Sequence, residues 1–118
     1  MRKILVCGSR IFTSFDYMDC ILGGENNGDD LVIISGGAKG ADELAAKWAE
    51  AYDFESQVFP ADWDKHGKSA GYIRNQQMID QEPDIVIAFW DGKSKGTRHT
   101  IGLAHRAKIN VLICYDWA

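Results

Sequence analysis

The chain alternates short apolar runs with stretches in which apolar residues recur every three or four positions. Residues 3–7 form the first run, and their length and composition predict a strand. Across residues 15–22, Tyr17, Met18, Ile21 and Leu22 share one face of a short helix. Residues 23–30 are a polar turn and residues 31–35 a second strand. The clearest helix follows, with Ala41, Leu44, Ala45, Trp48, Ala49 and Tyr52 at three- and four-residue intervals. Residues 56–59 predict a third strand and residues 60–69 a loop. A helix is expected over 70–81, stopped by Pro83, which cannot continue it. Residues 84–90 are a fourth, strongly apolar strand. A glycine-rich turn over 91–96, a helix over 97–108 and a last strand over 111–115 complete the pattern.

Strands alternating with helices predict βαβ units. The expected fold class is α/β: a Rossmann-like three-layer sandwich of about five parallel strands with helices on both faces. At 118 residues, 46% of them hydrophobic, the chain suits a single domain over 1–118. A formal net charge of −4 counts against sequence-independent attraction to a nucleic-acid backbone. No apolar run is long enough to span a membrane and none is built like a leader peptide, so a cytoplasmic location is expected. Cys7 and Cys114 fall in strands expected to be central, and Cys20 falls in a helix. All three are expected to be buried free thiols. His66, His99 and His105 share no ligand spacing with them, so no metal site is expected.

In open parallel sheets, ligands sit beyond the carboxyl ends of the strands, near the point where strand order reverses. Four segments should meet there. Gly8, Ser9 and Arg10 leave the first strand, offering a sharp exit, a hydroxyl and a guanidinium. Ser35, Gly36, Gly37, Ala38, Gly40 and Asp42 bridge the second strand and its helix, where backbone amides and the helix N-terminus favour an anion. This turn is neither a P-loop nor a dinucleotide fingerprint. Asp42 falls in the first helical turn, where the dipole stabilises it; a ribose hydroxyl is the functional alternative.

The third segment carries Asp62, Trp63, Lys68, Arg74 and Asn75. Trp63 either stacks on a base or covers the edge of a small core. Arg74 either clamps a phosphate or pairs with Asp80 or Glu82. The fourth carries Trp90, Asp91, Gly92, Ser94, Gly96 and Thr97, with Thr97 the expected helix N-cap. Two glycine turns facing one another make a cleft with anion sites on both sides.

At these motifs, SGGAKGAD, FPADW with GK.AG..RN..M, and AFWDGKSKGT, the sequence resembles the SLOG superfamily of Rossmann-like nucleotide-binding proteins. It looks closest to the YspA-like branch, and the likeness runs over nearly the whole chain. Ser35, Gly36, Ala38, Gly40 and Asp42 look like the matching turn of the DNA-processing protein A family, which binds single-stranded DNA. Arg74, Met78 and the turn from Gly92 to Thr97 are similar to the phosphoribohydrolases that activate cytokinins. Those enzymes carry a glutamate three residues after the Gly-Thr pair; here Thr100 holds that place. A carboxylate near an N-glycosidic bond stabilises its oxocarbenium-like transition state or activates water, and threonine does neither. Asp42, Asp62, Asp64 or Asp91 is left as the substitute.

The resemblance implies a module that senses or sequesters a nucleotide derivative, ADP-ribose-like or a nucleoside phosphate, rather than an enzyme. The alternatives are an N-glycosidic hydrolase, with Asp42, Arg74 and Asp91 as catalytic candidates, and a single-stranded nucleic-acid binder. It also implies phage and mobile-element settings. Apart from the nucleotide, no cofactor is expected. The expected partners are the nucleotide and further copies of the chain, in a homodimer or higher homo-oligomer; nucleic acid and membrane are not.

Overall fold

A computed structural model describes residues 1–26, 28, 30–115 and 117. The elements are β1 (Arg2–Gly8), α1 (Phe15–Gly24), β2 (Leu31–Ser35), α2 (Ala41–Ala51), β3 (Glu55–Val58), α3 (Trp63–His66), α4 (Ala70–Ile79), β4 (Ile85–Phe89), α5 (Lys95–Arg106) and β5 (Asn110–Cys114). All pairings within the five-stranded sheet are parallel, in the order β3-β2-β1-β4-β5.

The three inner strands are apolar along nearly their whole length because helices cover both faces. Alternation along β1 sends Ile4 and Val6 to one side and Leu5 and Cys7 to the other. The first side packs with Met18 and Leu22 of α1 and with Ala45, Trp48 and Ala49 of α2. The second packs with Met78 and Ile79 of α4 and with Ile101 and Ala104 of α5. These are the two helical layers of an α/β Rossmann-like fold. Asp19 of α1 ties its layer together, accepting hydrogen bonds from Trp48 Nε1 at 2.9 Å and the Tyr52 hydroxyl at 2.7 Å. Those two bonds hold the Asp19 carboxyl below its ordinary pKa.

Several local expectations change. The segment 60–69 is not all loop: it holds α3 and a 3-10 turn, Gly67–Ser69. Helix α5 starts at Lys95, and Ser94 caps it rather than Thr97; the Ser94 hydroxyl accepts from the Thr97 amide. Cys114 is buried, but β5 is an edge strand, so only Cys7 is central. Cys20 is exposed rather than buried, because it sits on the outer side of α1. Tyr52 stands just beyond α2 as its C-cap, and its ring is half exposed. Asn27 and Asp29 of the expected polar turn lie outside the described residues.

The chain steps outward from β1 to β2 to β3, then returns past β1 to place β4 on its other flank. Strand order therefore reverses between β1 and β4. Neighbouring crossovers leave that point in opposite directions, so their loops part and open a crevice beyond the strand ends.

Candidate functional site

A pocket of about 280 Å³ occupies this crevice. Cys7 and Gly8 at the end of β1 form its floor with Met78. Ala38 and Asp42 enter from the β2–α2 turn, and Ser94, Gly96 and Thr97 from the start of α5. The N-termini of α2 and α5 thus both bring partial positive charge to it. Helix α4 contributes Gly71, Arg74, Asn75 and Met78, spaced so that one face lines the pocket. Arg10, Trp63, Lys68 and Tyr72 complete the rim.

Arg74 is the central cation. Its Nη1 donates to the Gly36 carbonyl and, at 3.4 Å, to the Phe59 carbonyl, and its Nε donates to Asn75 Oδ1 at 3.0 Å. It pairs with neither Asp80 nor Glu82. Asn75 is buried and in turn donates to the Gly96 carbonyl at 3.3 Å and to His99 Nδ1 at 3.2 Å. One polar chain therefore runs from the β2 turn through α4 to the start of α5.

Gly36 has no side chain because two charged groups close over it. A Cβ there would overlap the Arg74 guanidinium and come within 2.9 Å of Asp42 Oδ2. Asp42 is only 8% exposed. Its Oδ2 accepts from the Ala38 amide at 3.2 Å, and the Gly36 amide also bonds to the carboxylate. Burial nevertheless pushes its pKa up to about 6, against the opposing pull of those amides, Arg74 and Arg10. Burial also lowers the Arg74 pKa, and Arg10 nearby adds to the lowering while Asp42 opposes it. Arginine keeps its charge regardless. Burial raises the Cys7 thiol well above its ordinary value, so it stays protonated at the pocket floor.

The remaining residues expected at the site frame the pocket without lining it. The Ser9 hydroxyl accepts from the Asp91 amide at 3.0 Å, joining the ends of β1 and β4. The Asp91 carboxylate accepts from the Lys93 and Ser94 amides at 2.8 and 2.9 Å, and these bonds lower its pKa. It is a turn-forming residue and is not part of the cavity lining. Trp90 donates through Nε1 to the Ser94 carbonyl at 3.1 Å and buttresses the same turn, with Gly92 at its tip. Asp62 caps α3 by accepting from the Lys65 amide at 3.1 Å. Ser35 is fully buried under α2, and Gly37 lies on the outer side of its turn against Val58.

Gly40 is the N-cap of α2 at φ +81, and a Cβ there would strike the Ser9 and Arg10 carbonyls. Thr100, where the hydrolase resemblance puts a glutamate, is 1% exposed and donates its hydroxyl back to the Gly96 carbonyl at 3.2 Å.

Cys7, Gly71 and Tyr72 escaped the site expected from sequence, and Met78 entered it only through the phosphoribohydrolase resemblance. Gly71 and Met78 carried a usable signal, because they stand three or four positions from Arg74 and Asn75 on one helix. His99, just behind Asn75, packs against Tyr72 with the rings tilted and their centroids 4.5 Å apart. Its pKa is lowered by burial and then by Arg106.

A Rossmann-like α/β fold with a cationic pocket at its switch point defines the class. Residues 2–66 match the family described as the YspA, cpYpsA-related SLOG family. The chain belongs to that family. It is 38% identical over 121 residues to the Gene 61 protein of Mycobacterium phage D29, covering 95% of each chain. Its fold matches the X-ray structure of DNA processing protein A (DprA) from Streptococcus pneumoniae with a TM-score of 0.75 at 21% identity. That match covers 96% of this chain and 50% of the other, so this chain spans half the length of that protein. Among the described residues, no helix is long and apolar enough to cross a membrane.

Proposed function

We propose that this protein binds a nucleoside phosphate or a related nucleotide derivative in the switch-point pocket, as a sensing or sequestering module. The observation that carries the reading is the convergence of Arg10, Arg74 and two helix N-termini on one small cavity. Arg10 is exposed and makes no hydrogen bond or close ion pair among the described residues, so its guanidinium is free for a phosphate. Membership of a SLOG family supports the nucleotide class.

The positions of Asp91 and Thr100 support binding over turnover. Asp91 is spent on its turn and Thr100 on its own helix. A second reading, hydrolysis of an N-glycosidic bond, rests on Asp42, the one carboxylate of the lining among the described residues, with its pKa raised to about 6. Incubation with nucleoside monophosphates, followed by chromatography for free base, separates the two. Release that Asp42→Asn abolishes supports the enzyme; binding without release supports the module.

Calorimetric titration with a nucleotide panel tests the main reading. Arg10→Ala should weaken binding about tenfold or more, the scale of a lost charge-assisted contact. Failure of every nucleotide to bind the wild-type protein overturns it. A single-stranded oligonucleotide belongs in the panel; tight binding with a steep salt dependence would favour nucleic acid instead.

A further inference from the structure

The pocket has two chemically distinct ends. The cationic end belongs to the turns after β1 and β2 and to Arg74. The other is aromatic and belongs to α3 and the start of α4, where Trp63 and Tyr72 stand at the rim. Trp63 is 56% exposed and Tyr72 50%. Both rings line the same cavity, where a ligand would cover part of their exposed apolar surface.

Trp63 is held rather than loose. Asp62 caps the turn that carries it, and its Cη2 lies 3.7 Å from the Cβ position of Gly71. That distance is ordinary van der Waals contact, so the indole edge rests against α4 at Gly71. Among the described residues the Trp63 ring stacks on no other aromatic, and its Nε1 makes no hydrogen bond. Tyr72, by contrast, has one face occupied by His99. The free aromatic face beside the cavity is therefore that of Trp63.

We propose that Trp63 is a stacking platform for the base of a mononucleotide whose phosphate sits at Arg10 and Arg74. This rests on the nucleotide reading above and deepens it. At about 280 Å³ the cavity is just below the usual range of small-molecule sites, roughly 300–1,000 Å³. It suits a mononucleotide better than a dinucleotide. Stacking reads the area of a ring rather than its hydrogen-bonding edge. Purines are therefore preferred over pyrimidines, with little discrimination within each class.

The experiment is calorimetric titration of the full chain with AMP, CMP and ribose 5-phosphate, using wild type, Trp63→Phe and Trp63→Ala. AMP should bind wild type about tenfold more tightly than ribose 5-phosphate, with CMP between them. Trp63→Ala should remove that advantage and leave ribose 5-phosphate binding unchanged; Trp63→Phe should keep most of it. AMP should quench tryptophan fluorescence in wild type and not in Trp63→Phe. Equal affinities for AMP and ribose 5-phosphate in wild type, or AMP affinity unmoved by Trp63→Ala, would overturn the platform and leave the phosphate site standing. Failure of all three ligands to bind wild type would overturn the nucleotide reading beneath it.

Discussion

Asp42 and Arg74 show what the site costs at the level of single side chains. Each is drawn out of water to close over Gly36, and burial shifts both against their charged forms. For Asp42 the consequence has a definite sign. Its folded-state pKa, about 6, stands above the ordinary 3.8, so the native state holds the proton more tightly than the unfolded chain. That contribution to stability is complete below about pH 4 and lost as pH rises through about 6. Asp42→Asn keeps an oxygen to accept from Ala38 and cannot ionise. Relative to wild type its Tm should therefore improve from pH 4 to pH 8, by a stability difference of about 3 kcal/mol at most. Thermal melts across that range check it, and a difference constant with pH would show that Asp42 does not titrate there. Little of this was legible in the sequence. SGGAKGAD announced a turn at a helix start, but not that its aspartate folds back onto the turn's own amides. Asp91 looked as available as Asp42, and only the Lys93 and Ser94 amides bonded to it distinguish the two.

At the scale of elements, the sequence was most legible where burial imposes a period. The runs of β1, β2 and β4 and the α2 stripe follow from packing on both faces of the sheet, and they stand where the pattern put them except for Tyr52, which lies just past α2. Helix α3 escaped because four residues are too few for any period to register. The order of the strands escaped as well, since β1, β2 and β4 are all strongly apolar and nothing local says that β1 and β4 are neighbours. The start of α5 is a sharper case. Ser94 and Thr97 are both good capping residues, and their hydroxyls lie 3.0 Å apart. The helix begins two residues before the expected position 97, because Asp91 bends the chain so that Ser94 meets the Thr97 amide. Ser94→Ala should therefore cost about 1 kcal/mol, and Thr97→Val less, as urea unfolding would measure. A larger loss for Thr97→Val would return the cap to Thr97. Because Ser94, Gly96 and Thr97 all line the pocket, Ser94→Ala should also weaken nucleotide binding.

For the molecule as a whole, the pocket is a property of the native topology. Its lining is drawn from β1, the β2 turn, α3, α4 and the start of α5, reaching from Cys7 to Thr97. The unfolded chain has no equivalent, so a ligand held there binds the native state alone and stabilises it by mass action. The net charge of −4 acts in the opposite direction from the pocket. It repels long polyanions at a distance, while Arg10, Arg74 and Lys68 attract a small anion once it is inside a Debye length. A mononucleotide at a hundredfold excess over its Kd should add about 2.7 kcal/mol, raising Tm on the order of 10 °C. Arg10→Ala separates the site from the scaffold. Since its guanidinium bonds to nothing among the described residues, the variant's Tm without ligand should stay near wild type while the ligand-induced rise shrinks at the same nucleotide concentration. A variant that melts early without ligand would mean that Arg10 supports the fold. A variant that keeps the full rise would place the phosphate elsewhere in the crevice.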